Sequence, residues 1–428
     1  MSYPAYSAQI PTRWHEIDRI PAGWEARRLK FLASCNDEAL PDRPGDKTLT
    51  FEKAPSRARR LVKDGDTIIS TVRTYLKAIA PIESPPANMV VSTGFAVIRA
   101  LEFMDRKYLG YALQNVAFID AVVANSTGVS YPAINPTALV CLSVSYPKDK
   151  AKQQQIAAFL DWKTSQIDAL IAKKKELLQK LKEKRLAVIT QAVTKGLNPD
   201  APMRDSGIAC LGVVPVHWKI SPIKSALQEP ITDGPHETPE FFDDGIPFVS
   251  AESVKNDRLD FDKKRGDISL EDHQRYSKKY HPKRGDVYMV KSGATTGNIA
   301  RVETDLDFNI WSPLAALRPD LDTVTTDFIF FFMKSKPFFY SVEQGWSFGT
   351  QQNIGMGVIA NLQMAYPSVA EQKMITKQID RQTNKIDSMS ASCVEAITRL
   401  TEYRTALITA ATTGKIDVRN WQATQTTT

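Results

Sequence analysis

The chain is poor in cysteine: its 428 residues hold four, Cys35, Cys141, Cys210 and Cys393, far apart and without a CxxC pair. That distribution excludes a disulfide framework and any zinc site recognisable from spacing, and it reads as scattered reduced thiols. Long apolar runs are also missing. No stretch reaches the roughly 18 apolar residues of a membrane span. The longest candidate, FIFFFM at 328–333, has the length of a buried helix turn or strand. The opening segment MSYPAYSAQIPTRWHEID lacks the apolar core of a signal peptide, so a cytoplasmic location is expected.

Catalytic signatures are absent as well. There is no GxxxxGK[ST] phosphate loop, and KSGATTG at 291–297 places its lysine ahead of its glycines. GxSxG, HExxH and a calcium-binding loop do not occur. PPAN at 85–88 lacks the leading amide and the aromatic of a methyl-transfer loop. Acidic pairs are too scattered for a metal-dependent nuclease centre. His236 and Asp233 have no third ligand at a suitable spacing, so no metal site is expected and His236 is taken as a polar contact residue. Catalysis, if the protein takes part in it, is expected from partners.

What is present is an ordinary globular composition, 43% hydrophobic and 24% charged, with 18 Phe and 13 Tyr, enough for more than one core. The length suggests two to four domains. A formal net charge of +7 and a sequence pI near 9.0 permit a polyanionic partner.

The chain repeats itself. A shift of 220 residues carries Gly65-Asp66 onto Gly285-Asp286, Ile79-Ala80 onto Ile299-Ala300, Ile134 onto Ile354, and Tyr146-Pro147 onto Tyr366-Pro367. The front edges, Ile20-Pro21…Trp24 and Val214-Pro215…Trp218, match at a shift of 194, so the second copy carries an insertion that includes residues 231–262. A shift of 219 then superposes Gln153 on Gln372, Thr164 on Thr383, Asp168 on Asp387, Arg185 on Arg404 and Thr190 on Thr409. A period above 200 residues is a duplicated domain-plus-helix unit, not a solenoid.

The helical part of each copy is free of Pro and Gly over 148–193 in the first, and carries apolar residues at alternating four-three spacing. The seam runs through Ile156, Leu160, Ile167, Leu170, Leu177 and Leu181, and again through Ile375, Ile379, Ile386, Met389, Leu400 and Leu407. This is the heptad pattern of a coiled coil, with Lys163, Lys174 and Lys184 laying their stems along it. A helix of some 45 residues, roughly 65 Å long, needs a partner along its seam. The economical partner is its own copy, packed antiparallel; parallel packing or another subunit are the alternatives.

The globular part of each copy mixes short β-type runs, such as DTIISTV at 66–72 and DVYMVKS at 286–292, with short helical candidates. An α+β protein is therefore expected: two similar mixed α/β domains separated by two long helices that form an antiparallel intramolecular coiled coil. The expected boundaries are 1–147 for the first domain, 148–195 for the first spacer helix and 196–212 for a linker. They continue with 213–366 for the second domain, 367–413 for the second helix and 414–428 for the tail.

Loops rich in Gly, Ser, Thr and amides interrupt both domains: STVRTYLK at 70–77, NSTGVS at 125–130, ITDGPHETPE at 231–240, KSGATTGN at 291–298 and WSFGTQQN at 346–353. They are either ordinary surface turns or a surface offering donors to phosphates and base edges. On the second reading Lys63, Arg73, Lys77, Lys291 and Arg301 are phosphate contacts, supported by RARR at 57–60. Ser70, His236, Thr238, Ser292 and Thr296 are then polar contacts, and Gln351 and Gln352 either read adenines or satisfy a turn.

These features together resemble the specificity subunit of a Type I restriction–modification system. The carrying motifs are IPAGW and VPVHW, DGPHETP, GIPFVSAESV, KRGDVYMVKSGATTG, GTQQNI, and the tails YP…KQQQIAAFLDWKTSQIDAL and YPSVAEQKMITKQIDRQTNKID…LTEYRTALITAATTGKIDV. The resemblance covers about Ile20 to Val418. It implies two target-recognition domains reading a bipartite double-stranded DNA sequence and helices that set the spacing. It also implies two modification (methyltransferase) subunits and restriction (motor-nuclease) subunits as partners. S-adenosylmethionine, ATP and Mg would belong to those partners, and none to this chain. The first copy lacks clear equivalents of DGPHETP and GTQQNI. A coiled-coil scaffold joining two protein-binding domains, without DNA specificity, is the alternative reading.

Overall fold

The computed structural model describes residues 3–14, 17–38, 57–344 and 353–422. In the first domain the strand Trp24–Arg28 pairs antiparallel with Ser143–Pro147, which sets the opening motif beside the Tyr-Pro exit. A four-stranded antiparallel sheet follows the order Ala33–Cys35, Phe95–Ala100, Thr67–Ser70, Ile79–Pro81. Three short helices accompany it: α1 (Arg106–Ala112), α2 (Val116–Ala124) and α3 (Pro136–Leu139). Each begins at an Asp or Asn whose side chain accepts a first-turn N–H: Asp105 from Tyr108, Asn115 from Phe118, Asn135 from Thr137. The chain then enters α4 (Lys150–Lys195).

The second domain repeats this plan. Lys219–Pro222 pairs antiparallel with Gln363–Tyr366. A six-stranded sheet has the order Thr232–Asp233, Leu314–Leu317, Val287–Val290, Ile299–Arg301, Arg258–Leu259, Val254–Lys255. An added three-stranded sheet, Gly266–Ile268, Ile246–Val249 and Asn309–Ile310, together with helix α5 (Leu270–Ser277), has no counterpart among the described residues of the first domain. The insertion thus reaches beyond residue 262. The repeat, back in register from Gly285, continues through α6 (Thr326–Met333), α7 (Lys336–Gln344), α8 (Met356–Asn361) and α9 (Val369–Thr412). Residues 328–333 form the buried face of α6, so the FIFFFM run is core.

The chain divides into two compact units, residues 1–176 with 393–428, and residues 177–392. Each unit holds one domain, the first part of the long helix that follows it, and the last part of the other long helix. Packing is antiparallel within each. In the first unit Gln155 reaches the Arg419 carbonyl and Arg404 Nε lies 3.0 Å from Asp168, so α4 advances as the other segment retreats. In the second unit Arg185 Nε lies 3.0 Å from Asp387, while Gly196 at the end of α4 lies beside Glu371 at the start of α9. The core of the first unit includes Ile156, Leu160, Ile167, Leu407, Ile408 and Ala411; that of the second includes Ile189, Val193, Ile375 and Ile379.

Residues repeated at fixed spacing make the same contacts in both units. Gln153 donates to the Pro147 carbonyl (2.9 Å) and accepts from Asp105 N–H (2.7 Å); Gln372 donates to Pro367 (2.9 Å) and accepts from Thr325 N–H (2.8 Å). Thr409 accepts from Val116 N–H at the start of α2 (3.1 Å), and Thr190 accepts from Lys336 N–H at the start of α7 (3.0 Å). Both long helices end on a glycine at positive φ, Gly196 (+74°) and Gly414 (+69°), where a side chain is disfavoured. Gly196 lies against Trp218 and Gly414 against Pro21 and Trp24, so each helix end seats on an opening motif.

The seam is buried unevenly. Ile156, Leu160, Ile167, Leu181, Ile375, Ile379, Ile386 and Leu407 are buried and Leu400 is half-buried, but Leu170, Leu177 and Met389 are 48%, 36% and 43% exposed. The four-three spacing marks a line along each helix. Burial follows where a domain core or the facing helix covers that line.

Candidate nucleic-acid interface

The loops that interrupt the domains are carried on a shared frame. Gly65 (φ +86°) and Gly285 (φ +94°) make the left-handed turn that leads into the central strand of each sheet. The aspartate that follows is about 1% exposed in both cases. Asp66 accepts from Lys63 N–H (2.7 Å) and, through both oxygens, from the Nε and Nη2 of Arg99 at 2.8 Å each. Asp286 accepts from Lys283 N–H (2.9 Å) and from the Nε and Nη2 of Arg318 at 2.8 Å each. These hydrogen bonds hold both guanidinium groups well above the ordinary arginine range. Fork-to-carboxylate geometry of this kind is strong and directional. Arg99 and Arg318 stand 219 residues apart, the same spacing that superposes the long helices.

At the far end of each central strand two loops meet. Ile134 N–H donates to the Thr71 carbonyl and a bridge joins Val72 to Ala133. In the second domain Ile354 N–H donates to the Lys291 carbonyl and a bridge joins Ser292 to Asn353. All four positions correspond at a shift of 220, so each domain presents the same edge with different side chains on it.

On the first edge, Arg73 and Lys77 are exposed and both hold positive φ (51° and 54°), a strained conformation for non-glycine residues. The Arg73 guanidinium lies 4.8 Å from the centre of the Tyr131 ring. Tyr75, Leu76 and Tyr131 are more than half exposed around them. The Ser70 hydroxyl donates to the Val72 carbonyl at 2.8 Å. Lys63 lies at the opposite end of the strand, paired with Glu38. The structure therefore gathers Arg73 and Lys77 but not Lys63. Tyr131 was missed in sequence because nothing local ties it to Arg73.

On the second domain, Asp233 is the hub. It is 2% exposed and meets two lysines and a histidine: Lys279 at 2.6 Å, His236 at 3.2 Å and Lys291 at 3.3 Å. Burial works to raise its carboxyl, but the Lys279 hydrogen bond and the Lys279 and Lys291 charges outweigh it and hold the group below the usual carboxylate range. Gly234 is required here, since a Cβ would fall 1.7 Å from the Ile310 carbonyl oxygen. His236 remains 74% exposed, and Thr238 is exposed on the same loop. Lys291 is nearly buried against Asp233. Thr296 turns back to the Gly293 carbonyl at 2.7 Å. Ser292 sits in the bridge to Asn353. Arg301 is set apart: it pairs with Asp327 (2.5 Å) and Glu303 (3.5 Å) and stacks on Phe330. Gln351 and Gln352 lie outside the described residues. Arg275 on α5 and Lys279 in the turn that follows it, which hold the 233–237 loop through Glu237 and Asp233, carried no sequence signal, because only the fold brings α5 and its exit turn to that loop.

Residues 235–396 match the family described as "Type I restriction modification DNA specificity domain". The Type I restriction enzyme EcoBI specificity subunit of Escherichia coli is 22% identical over 329 residues, a match that covers 74% of this chain and 67% of that protein. A chain from a solved structure on complex assembly and conformational transition of the type I R-M system shares the fold. Its TM-score is 0.70 at 20% identity, over 93% of this chain and 99% of that one. Residues 235–396 are thus of a DNA-specificity domain type, which is characteristically non-catalytic. More particularly, the chain is homologous to the specificity subunits of Type I restriction–modification systems. No helix among the described residues is long and apolar enough to cross a membrane.

Proposed function

We propose that this chain recognises a bipartite double-stranded DNA target within a cytoplasmic Type I restriction–modification complex, and positions the methyltransferase and motor-nuclease subunits on it. The observation that carries the reading is the pairing of one repeated frame, Asp66–Arg99 and Asp286–Arg318, with two unlike loop edges. A frame used twice with different edges suits two different half-sites. Arg73 and Lys77 are the candidate contacts in the first domain; His236, Thr238 and Ser292, with Lys291 and Thr296 behind them, are those in the second. Phosphate contacts position the protein and edge contacts specify sequence. The long helices would set the spacing between half-sites and seat the partner subunits.

The test is methylome sequencing of a host expressing this subunit with its partner subunits. A split methylated motif that disappears on deletion of this chain is expected. Exchanging residues 213–365 for those of a subunit with another target is expected to change one half of the motif only. A change in both halves would refute separate reading by the two domains. Steep weakening of duplex binding with salt separates this reading from a DNA-independent scaffold, and Lys77→Ala should lower that salt slope by about 1.

A further inference from the structure

We propose that His273, His281 and Asp307 form a binding site for one divalent transition-metal ion of the zinc type, at the added sheet and helix that distinguish the second domain. His273 lies on α5, His281 follows that helix, and Asp307 precedes the strand Asn309–Ile310. One ligand atom from each lies within 4.8 Å of those of the other two. Two imidazoles and a carboxylate are a ligand set that suits zinc and its neighbours.

The hydrogen bonding around the two rings aims them. His273 is buried, and its Nδ1 lies 2.7 Å from the Asn309 side-chain oxygen. That oxygen only accepts, so Nδ1 carries the proton and the lone pair sits on Nε2. The same Asn309 donates its amide to the Ser277 hydroxyl (3.3 Å), which also faces His281 Nδ1 (3.4 Å). His281 Nε2 is then the nitrogen turned to Asp307, 3.6 Å from Oδ1. For bonds of about 2.0–2.1 Å, two tetrahedral ligand atoms lie about 3.4 Å apart. The His281–Asp307 separation is already near that value. Ligating histidines characteristically donate their other N–H to an oxygen in this way. A plain His281–Asp307 ion pair would leave the orientation of His273 without consequence.

The position gives the ion a structural role. Helix α5 and the turn after it also hold the loop of the Asp233 hub, through Tyr276–Glu237 (2.8 Å) and Lys279–Asp233 (2.6 Å). A metal clamp between α5 and residue 307 would fix the inserted sheet beneath that loop. The inference stands independently of what the loop contacts.

The experiment uses the full-length, tag-free chain, stripped with chelator and titrated with Co²⁺ and then Zn²⁺. Expected are saturation at one Co²⁺ per chain with visible d–d absorption, displacement by Zn²⁺, and a higher Tm with Zn²⁺. His281→Ala and Asp307→Asn, both at exposed side chains, should abolish the d–d signal and the Tm shift while circular dichroism is unchanged. Ser277→Ala should weaken binding on the order of 10-fold, as loss of an orienting partner does, and His236→Ala should leave it as it is. No saturable Co²⁺ binding, or binding that survives both Asp307→Asn and His281→Ala, overturns the proposal.

Discussion

The two domains use the same scaffold and differ in what stands on its edge. In the first, the edge loop joins Arg73 and Lys77 to an exposed tyrosine and leucine cluster. In the second, a buried aspartate gathers one histidine and two lysines, and an inserted sheet and helix stand behind the loop. Beneath these edges the Gly-Asp turn, the arginine fork, the Gln brace and the Thr cap recur at 219 to 220 residues. The lesson is a division of labour. Positions that hold a domain to its helices cannot drift without leaving buried polar groups unpaired. Positions on the edge bear no such constraint and are free to differ.

Removing the fork should break the comparison most forcefully. Arg318→Ala leaves Asp286 buried without its counter-charge, and a loss of about 3–5 kcal/mol in the second unit is expected. Arg99 is more exposed than Arg318, 27% against 13% of the side chain, so Arg99→Ala should cost the first unit less. Hydrogen exchange read separately over the two units measures both, and loss in the wrong unit would refute the assignment. Next comes the seam. Ile379→Ala should cost about 2–5 kcal/mol, whereas Leu170→Ala, at a 48% exposed position, should stay within about 0.5 kcal/mol. Similar losses in denaturant unfolding would mean that the seam is buried evenly.

The helix ends give a smaller and finer contrast. Gly196→Ala and Gly414→Ala both place a Cβ at positive φ, expected to cost about 1–2 kcal/mol. At Gly414 the new Cβ would also meet Pro21 at 2.3 Å, while at Gly196 its nearest neighbour is 3.4 Å away. Gly414→Ala should therefore lower Tm more. A smaller effect than at the glycines is expected from the caps: Thr190→Val and Thr409→Val each remove one acceptor from a helix start and should cost about 1 kcal/mol. A null result at one and not the other would show that the helix contacts differ after all.

Much of the frame was legible in the chain. The repeat, the two long helices and the glycines that end them follow from spacing, because helix periodicity and turn chemistry are local properties. Arg99 and Arg318 were also within reach, since they fall on the repeat, but an arginine inside a strand pattern does not announce a buried partner. The candidate surface was less legible. Lys63 and Arg301 have the residue type of a phosphate contact, yet their charges are engaged with Glu38 and with Asp327 and Glu303. Residue type records capacity, and only position shows whether an intramolecular partner has taken it.

By itself, then, the sequence determined a duplicated chain of mixed α/β domain and long helix, because hydrophobic period, turn residues and a fixed shift are all encoded along one dimension. Tertiary structure decided which half of each helix joins which domain, that Asp233 collects two lysines and a histidine, and that His273, His281 and Asp307 come together. Those are encounters between residues distant along the chain, and they exist only once the backbone has closed the loops between them.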